Sequence, residues 1–478
     1  MLKNIKKYTA ILASVVLISG CQRMVEGLDI SPNLPTGASS NPILTGTQLA
    51  NIQLHEGEIA RLAGMWCGYF TGSDRQYISL YEYNTTAGDF DNAWSPIYPF
   101  VVKQARTIQS NATKTNNRLM LGIAKVIEAH ALGTATALWG DVPNTEAVDL
   151  VKFPMPKYDS QLQVYTALQA LLDGAIADLT AGVVSAVTSP GISDIYYQGN
   201  KAKWIAAAYT LKARYYMHTK EYAKALAVAK LGIQKPADNM MGTHGPVFGS
   251  NFNTYYDFLQ YNRPGYMTAD GAFAPTLLEK RGNAKTDEAA RLGYVYMTDN
   301  GYYEPNAYCV FDGWGATGMF GGDTSFPLIT FEENNLILAE AAARGGDTAG
   351  ALASLNAHRA YMNSGGYLSA DWGTPMYAAY TTADFQAGGI ENPTPSIAAD
   401  RALLREILEE RYVTFIGQIE GFNDVRRTLK ETDVRVPVTP NKGTQFPQRF
   451  LYPQAEVSAN KNVPNPFPGL FVATPVNK

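Results

Sequence analysis

What most limits the fold of this chain is a series of long segments whose apolar residues recur three and four positions apart, separated by short joints. Leu49, Ile52, Ile59, Leu62 and Ala63 set the pattern, which is the signature of a helix with one buried face. The same period predicts helices over 47–69, 93–111, 117–138, 159–181, 201–219, 222–234, 331–343, 348–362 and 399–416. Strand signals are few and short, so the expected class is mostly α. The pair around Thr219 fits a tetratricopeptide-like register: Tyr209, Ala213, Tyr216, Tyr222 and Ala225 alternate large and small residues, and the small ones let two helices approach closely. Leu338, Ala339, Ala342, Gly346, Asp347 and Ala351 give a weaker second copy. A generic αα-hairpin would use small residues at its crossing in the same way. Two long stretches, 238–271 and 300–323, lack helical period but are rich in Gly, Tyr and Asn, and their aromatic content argues against disorder.

Charge separates the possible partners. In 478 residues, 39 Lys+Arg face 43 Asp+Glu for a formal net charge of −4, and 17% of residues are charged. That lacks the basic excess needed to neutralise nucleic-acid phosphates, so no nucleic-acid partner is expected. The chain opens with Lys3, Lys6 and Lys7 and an apolar run over 8–19, the pattern of a secretory signal. Leu17-Ile18-Ser19-Gly20-Cys21 resembles a bacterial lipobox. The expected organisation is a signal peptide at 1–20, a tether at 21–46 carried by an acylated (palmitate-type) Cys21, and one α-helical domain at 47–478. Pro32, Pro35, Gly37 and Pro42 give the tether its irregular character. Acyl chains at one residue anchor firmly where a single chain is marginal. Cys67 and Cys309 remain; two separate buried thiols are the favoured reading and one disulfide the alternative.

Several chemistries find no support. Gly313-Trp314-Gly315-Ala316-Thr317-Gly318 spells a dinucleotide-binding glycine pattern, but that fingerprint needs a strand before it and a helix after it, and Met319, Phe320, Gly321, Gly322 and Pro327 do not start one. His55, His130, His218, His244 and His358 show no ligand spacing, so no metal is expected, and most are read as solvated helix residues. Asp287-Glu288, Glu332-Glu333 and Glu409-Glu410 are neighbours on helices, where adjacent side chains diverge by about 100° rather than facing across a cleft. They read as solvated faces or ion-pair partners. With no nucleophile elbow or phosphate loop, neither catalysis nor a cofactor is expected.

Ordered motifs then carry a family resemblance. After the lipobox comes a helix ending in Leu138-Trp139-Gly140-Asp141-Val142-Pro143, with Glu146-Ala147 beyond. Ile407-Leu408-Glu409-Glu410-Arg411 leads to Glu420-Gly421-Phe422-Asn423-Asp424-Val425-Arg426-Arg427, and Arg449-Phe450-Leu451-Tyr452-Pro453-Gln454 closes the series with Glu456, Asn460, Asn462 and Pro464. Together they resemble the SusD/RagB family of outer-membrane nutrient-binding lipoproteins. Gly417, Gln418 and the Phe422-Asn423 step depart from its commoner pattern without touching ligand choice. The resemblance implies a SusD-like fold and a lipid-anchored protein on the outer face of the outer membrane. Its expected role is to capture oligosaccharides for a SusC-type TonB-dependent transporter, with oligopeptide capture as the alternative. The motif residues themselves are read as scaffold: buried Glu–Arg pairs and turns.

A glycan site calls for exposed rings that cover the C–H face of a sugar, with planar polar groups beside them. Two regions qualify. The first runs from Arg75, Gln76 and Tyr77 through Tyr81, Tyr83 and Asn84 to Asp89, Asp91 and Trp94; the second holds Tyr302, Tyr303, Asn306, Tyr308, Asp312, Trp314 and Asp323. The resemblance places a glycan site in such loops by position only. Trp314, Tyr303, Tyr81, Tyr83, Asn84, Arg75 and Asp323 are the candidate ligand residues. Trp94 with Tyr98 reads as core, because the two lie one helical turn apart.

Overall fold

The computed structural model describes residues 40–184, 189–247 and 251–478. The expected signal peptide, Cys21 and most of the tether lie outside them. Helix α1 (Ser40–Glu56) begins ahead of the predicted start at Thr47, inside the stretch read as tether. The misleading signal was Pro42, which falls in the first turn, where a missing N–H breaks no intrahelical bond. α2 (Glu58–Trp66) and α3 (Lys103–Lys114) follow, then the long α4 (Arg118–Trp139) and α5 (Gln161–Ala181), the pair α6 (Lys201–His218) and α7 (Tyr222–Ala229), and α8 (Phe273–Lys280). The last third holds α9 (Phe331–Arg344), α10 (Thr348–Asn363), α11 (Ala399–Thr414) and α12 (Ile419–Thr428). The segment predicted as one helix over 93–111 is broken, with a π-helical stretch at Ile97–Val102 ahead of α3.

Side chains set the helix limits. Asn117 accepts from the Met120 amide at 3.1 Å to cap α4, Asp347 accepts from Gly350 N at 2.9 Å to cap α10, and Ser160 with Gln163 forms a capping box on α5. The interior of α4 is nearly all buried, and glycines let its neighbours approach. A Cβ on Gly122 would lie 2.6 Å from Leu179 Cγ of α5, and one on Gly133 would lie 2.0 Å from the Tyr215 hydroxyl of α6. That hydroxyl donates to the Ala129 carbonyl at 2.6 Å. Ala213, Met217, Ala225 and Ala229 pack α6 and α7 together and onto Ile337 and Ala341 of α9. Leu336, Ala339, Ala351, Leu355, Leu403 and Ile407 join α9, α10 and α11. The expected paired helices are thus present, with Ala213 and Ala225 at the crossing. The short strands β1 (Thr71–Gly72), β2 (Met240–Gly242), β3 (Met267–Thr268), β4 (Thr286–Asp287), β5 (Tyr296–Asp299), β6 (Tyr302–Pro305), β7 (Phe326–Ile329) and β8 (Met376–Tyr377) form two-stranded antiparallel ribbons, β1–β3, β2–β7, β4–β8 and β5–β6.

The motif segments meet inside this scaffold. Arg426 donates to the carbonyls of Ala137 and Gln448 at 3.0 and 2.9 Å. The Phe450 amide reaches Leu138 O at 2.9 Å, Trp139 Nε1 reaches Leu451 O at 2.7 Å, and the Tyr452 hydroxyl reaches Asp141 O at 2.7 Å. Arg411 pairs with Asp424 at 2.8 Å, and Glu340 is held by Arg427 at 2.5 Å, Arg344 at 2.7 Å and Arg411 at 3.1 Å. Glu410 faces Arg281 and Arg291, each at 2.7 Å, and His358 at 2.9 Å.

One open choice is resolved here and one reading changes. Of the solvated-face and ion-pair alternatives the structure takes the second for Glu288, Glu333 and Glu410, which are buried in ion pairs, while Glu332 is buried and accepts from Asn239. His55, His130, His218 and His358 are buried rather than solvated, because each ring meets a polar partner in the core: His55 accompanies Thr134, His218 bonds Glu420, His358 bonds Glu410 and His130 faces Arg214. Cys67 and Cys309 are separate buried thiols. Trp94 is buried and packs on Tyr98 with ring centroids 5.2 Å apart.

Candidate ligand-binding site

The loop from Val310 to Ser325 is irregular yet held at many points. Asn306, fully buried, anchors its base: its amide donates to Gly293 O at 2.6 Å, its carbonyl side-chain oxygen accepts from Tyr308 N at 3.1 Å, and its backbone oxygen accepts from Phe320 N at 2.9 Å. Across the loop, Gly318 N donates to Tyr308 O at 2.9 Å and the Thr324 hydroxyl donates to Gly318 O at 2.8 Å. The turn at 369–372 clamps the outer side. There the Thr317 amide donates to Asp371 at 2.8 Å, the Ser369 hydroxyl donates to the same carboxylate at 2.6 Å, and Trp372 Nε1 donates to Thr317 O at 2.7 Å. These bonds from Ser369 and Thr317 hold the Asp371 carboxyl below its ordinary pKa.

Trp314 stands at the crest. Gly313 and Gly315 on either side have φ of +83° and +68°, a left-handed geometry that residues with a Cβ rarely adopt. The turn they make lays the indole parallel over Tyr308, with centroids 4.3 Å apart and planes 6° from parallel. Trp372 continues the group at 6.0 Å from Tyr308. One indole face is covered by Tyr308 and Trp314 remains 56% exposed. A flat, anchored, half-free ring of this kind is what a sugar's C–H face or another planar group can cover. On the other flank of the loop Phe252 lies parallel to Phe311 at 5.5 Å and to Tyr261 at 6.0 Å, and Phe311 and Tyr261 are both exposed. The Tyr256 hydroxyl bonds the Asp312 carboxylate beneath them. Sequence reasoning missed Phe252, Tyr261, Phe311 and Trp372; their aromatic type was visible, but their placement around the loop depends on how three separate segments fold.

The remaining candidates are dispersed. Tyr302 is exposed and Tyr303 half-buried on the β5–β6 hairpin; the Tyr303 hydroxyl donates to Glu279 at 2.7 Å, and burial together with that bond pushes its pKa up to about 12. Beside it, burial and then the charges of Asp299 and Asp270 raise the Glu304 carboxyl to about 7. Asp323 is half-buried in the turn entering β7. Arg75 is exposed, its guanidinium 5.7 Å from the Tyr266 ring. Asn84 is exposed, and Tyr81 is half-buried beside Asn441, which donates to its carbonyl at 3.1 Å.

Tyr83 has to be withdrawn from the candidate surface. It is buried, packs edge-on to Trp66 at 6.2 Å, accepts from Asn441 N at 2.6 Å, and burial pushes its hydroxyl up to about 12. Sequence reading counts it among the exposed aromatics of the first loop region, but a φ of +67° at Tyr83 turns the chain and sends the ring inward. Among the described residues no group of three His, Cys, Asp or Glu side chains could hold a metal, and no helix is long and apolar enough to cross a membrane.

Helix pairs that carry a pinned, aromatic, solvent-facing loop define a binding scaffold. Residues 32–266 match a family model described as SusD-like, "Starch-binding associating with outer membrane". The fold is similar to that of a SusD/RagB family protein from Bacteroides thetaiotaomicron, with TM-score 0.66 and 22% identity over 89% of this chain and 95% of that one. A chitin-binding protein gives TM-score 0.63 and 20% identity over 88% and 95%, and a SusD homolog from Bacteroides fragilis gives 0.62 and 18% over 91% and 99%. No curated protein matches the chain. The chain is thus SusD-like over residues 32–266, and its fold over the described residues is that of the SusD/RagB proteins.

Proposed function

We propose that this protein captures neutral oligosaccharides at the outer face of the outer membrane and delivers them to a SusC-type TonB-dependent transporter. The Trp314–Tyr308 stack carries the reading: an indole fixed by two glycines and a clamped turn, with one face open. The family description names starch and one structural relative is a chitin-binding protein, which supports a glycan as the ligand class. Cys21 in its lipobox supplies the anchor, and the resemblance supplies the partner. Calorimetric titration with starch and chitin fragments and with peptide digests tests the assignment. Glycan binding that is indifferent to salt is expected, because a neutral ligand has no charge to screen. Binding of peptides with none of the glycans would overturn it. Co-purification with a large barrel in mild detergent checks the partner.

A further inference from the structure

Helix α1 ends on an acid. Glu56 is its last residue and is fully buried, at the end of the helix where the dipole disfavours negative charge. Two groups compensate. Its Oε1 accepts from the Thr254 amide at 2.5 Å, and its Oε2 meets Nε2 of His244 at 2.8 Å, the one basic side chain paired with it among the described residues. His244 lies two residues beyond β2, its side chain is 6% exposed, and its other ring nitrogen, Nδ1, meets the backbone oxygen of Asn251 at 3.2 Å. Carboxylate and carbonyl are both acceptors. A neutral imidazole has one N–H and can satisfy one of them, whereas the imidazolium has two and satisfies both. We propose that His244 and Glu56 form a proton-operated latch: the protonated ring fixes the Phe252 flank of the aromatic loop, and loss of the proton loosens that flank and weakens ligand binding.

The connection to the site runs through four consecutive residues. The ring holds Asn251 and the carboxylate holds Thr254, so the pair grips the chain on both sides of Phe252 and Asn253. Phe252 stacks on Phe311, and buried Asn253 donates from its backbone to Gly322 O at 2.8 Å and from its side chain to Thr324 O at 3.0 Å, both in the loop that carries Trp314. When the ring is neutral, one of its two bonds is lost and Glu56 becomes a buried charge without a counter-charge. Burial alone would lower the His244 pKa, but the bond and charge of Glu56 outweigh it and raise it above 6.5. The folded chain thus keeps a proton that an unfolded histidine releases. The latch is fully closed below about 6.5 and opens as pH rises through the higher folded value. The other charged groups around the pair do not replace it. His55, next to Glu56 on α1, bonds Thr134 and is held by burial to a pKa of about 4. Asp257 lines the same cleft as His244 and is bonded by Asn262. Glu58 and Arg61 of α2 line a second cleft that shares Leu49, Gln53 and Thr254 with the first.

Because a change in affinity rests on the glycan reading, the latch is measured both without ligand and with it. In the lipid-free protein the His244 ring, followed by NMR, should titrate above 6.5. At about pH 6 the amides of Asn253 and Thr254 should exchange hydrogen more slowly in the wild type than in His244→Gln, which cannot carry the charge, and at about pH 9 the two proteins should exchange alike. The Kd for starch or chitin fragments should rise about two- to tenfold between those pH values in the wild type, the span of one hydrogen bond. In His244→Gln it should stay at the weaker value throughout. His244→Arg, permanently charged and with a cleft of about 350 Å³ beside it to take the longer side chain, should stay at the tighter value. The proposal fails if His244 titrates at or below 6.5, if exchange at pH 6 is the same in the wild type and His244→Gln, if the wild-type Kd is flat with pH, or if its pH dependence survives in His244→Gln, which would assign it to another group such as Glu304. If no fragment binds at any pH, the glycan reading fails and the exchange comparison alone decides whether the latch exists.

Discussion

Replacing Trp314 by alanine separates a platform residue from a packing residue, and the structure sets both magnitudes. A Trp side chain presents up to about 250 Å². With 56% of the residue exposed, roughly 140 Å² is open to a ligand. At about 25 cal/mol per Å², covering it is worth on the order of 3.5 kcal/mol before the cost of ordering a ligand. The net loss on truncation should therefore be about 1 to 3 kcal/mol, a five- to 150-fold rise in Kd. The same arithmetic on the covered part, mostly the contact with Tyr308, gives roughly 110 Å² and at most about 2.7 kcal/mol of stability, and the unfolded chain's own burial lowers this further. Trp66, fully buried against Phe90, Phe422 and Phe450, is the internal reference, and its truncation should cost about 3 to 5 kcal/mol. Calorimetric titration and a thermal melt on Trp314→Ala and Trp66→Ala read the two quantities. A Trp314 variant that keeps its affinity, or that melts as early as the Trp66 variant, refutes the platform assignment.

The scaffold and the anchor give three further expectations. Glu340→Gln leaves Arg427, Arg344 and Arg411 facing an uncharged side chain in the core, so denaturant unfolding should show a loss of about 3 to 5 kcal/mol. Burial alone would raise the Glu340 pKa, but these arginines more than reverse it and hold the carboxyl well below the usual range. Its contribution is thus fully present above the unfolded value of about 4.3 and is lost as pH falls below it, so the variant should flatten the acid limb of the stability profile. Glu304 has the opposite sign. With a folded pKa of about 7 against 4.5 for the free group, the folded chain holds a proton that the unfolded chain releases, so the β5–β6 hairpin should loosen as pH rises from about 4.5 to 7. Hydrogen exchange across the hairpin should show this, Glu304→Gln should remove it, and a pH-independent hairpin would disprove the shift. Cys21→Ala should abolish palmitate labelling and release the protein from membranes; retention with labelling intact would rule out the proposed anchor.

Sequence periodicity located the helices that carry the scaffold because each buries one face, and α4, α5, α6, α9 and α10 begin and end within two residues of where that period starts and stops. It failed where a different force decides. α12 was not expected because Glu420, Asn423, Asp424, Arg426 and Arg427 leave its sequence without an apolar helical period; the resemblance reads them as buried pairs and turns, and all are buried, but in a helix. Each of these charges meets a partner from another part of the chain, and partners distant in sequence leave no local period. α8 was hidden by Pro275, which sits in its first turn. At the site, Trp314 was legible because glycines on both sides of a Trp imply an exposed turn. Tyr83 was not, because a single positive φ reverses the direction of its side chain, and no composition rule reports that.

The residues that identify the family and those that face solvent belong to separate physical systems, which bears on how ligand choice can vary. Arg411, Glu420, Asp424, Arg426 and Arg427 are each less than a tenth exposed and bonded inside the scaffold. Replacing one strands its partner in a medium where an unpaired charge costs several kcal/mol. Trp314, Phe311 and Tyr261 keep much of their surface in water, so exchanging them costs the fold far less. The loop is pinned mainly through backbone groups of residues 306, 308, 317 and 318 and through the Asn306, Asp371 and Trp372 side chains. Its path therefore survives a change in the rings it displays. A Trp314→Phe or Phe311→Ser exchange should accordingly alter which glycan binds before it alters whether the chain folds, and a titration panel read against melting temperature on those two variants would show the reverse order if the loop were part of the core.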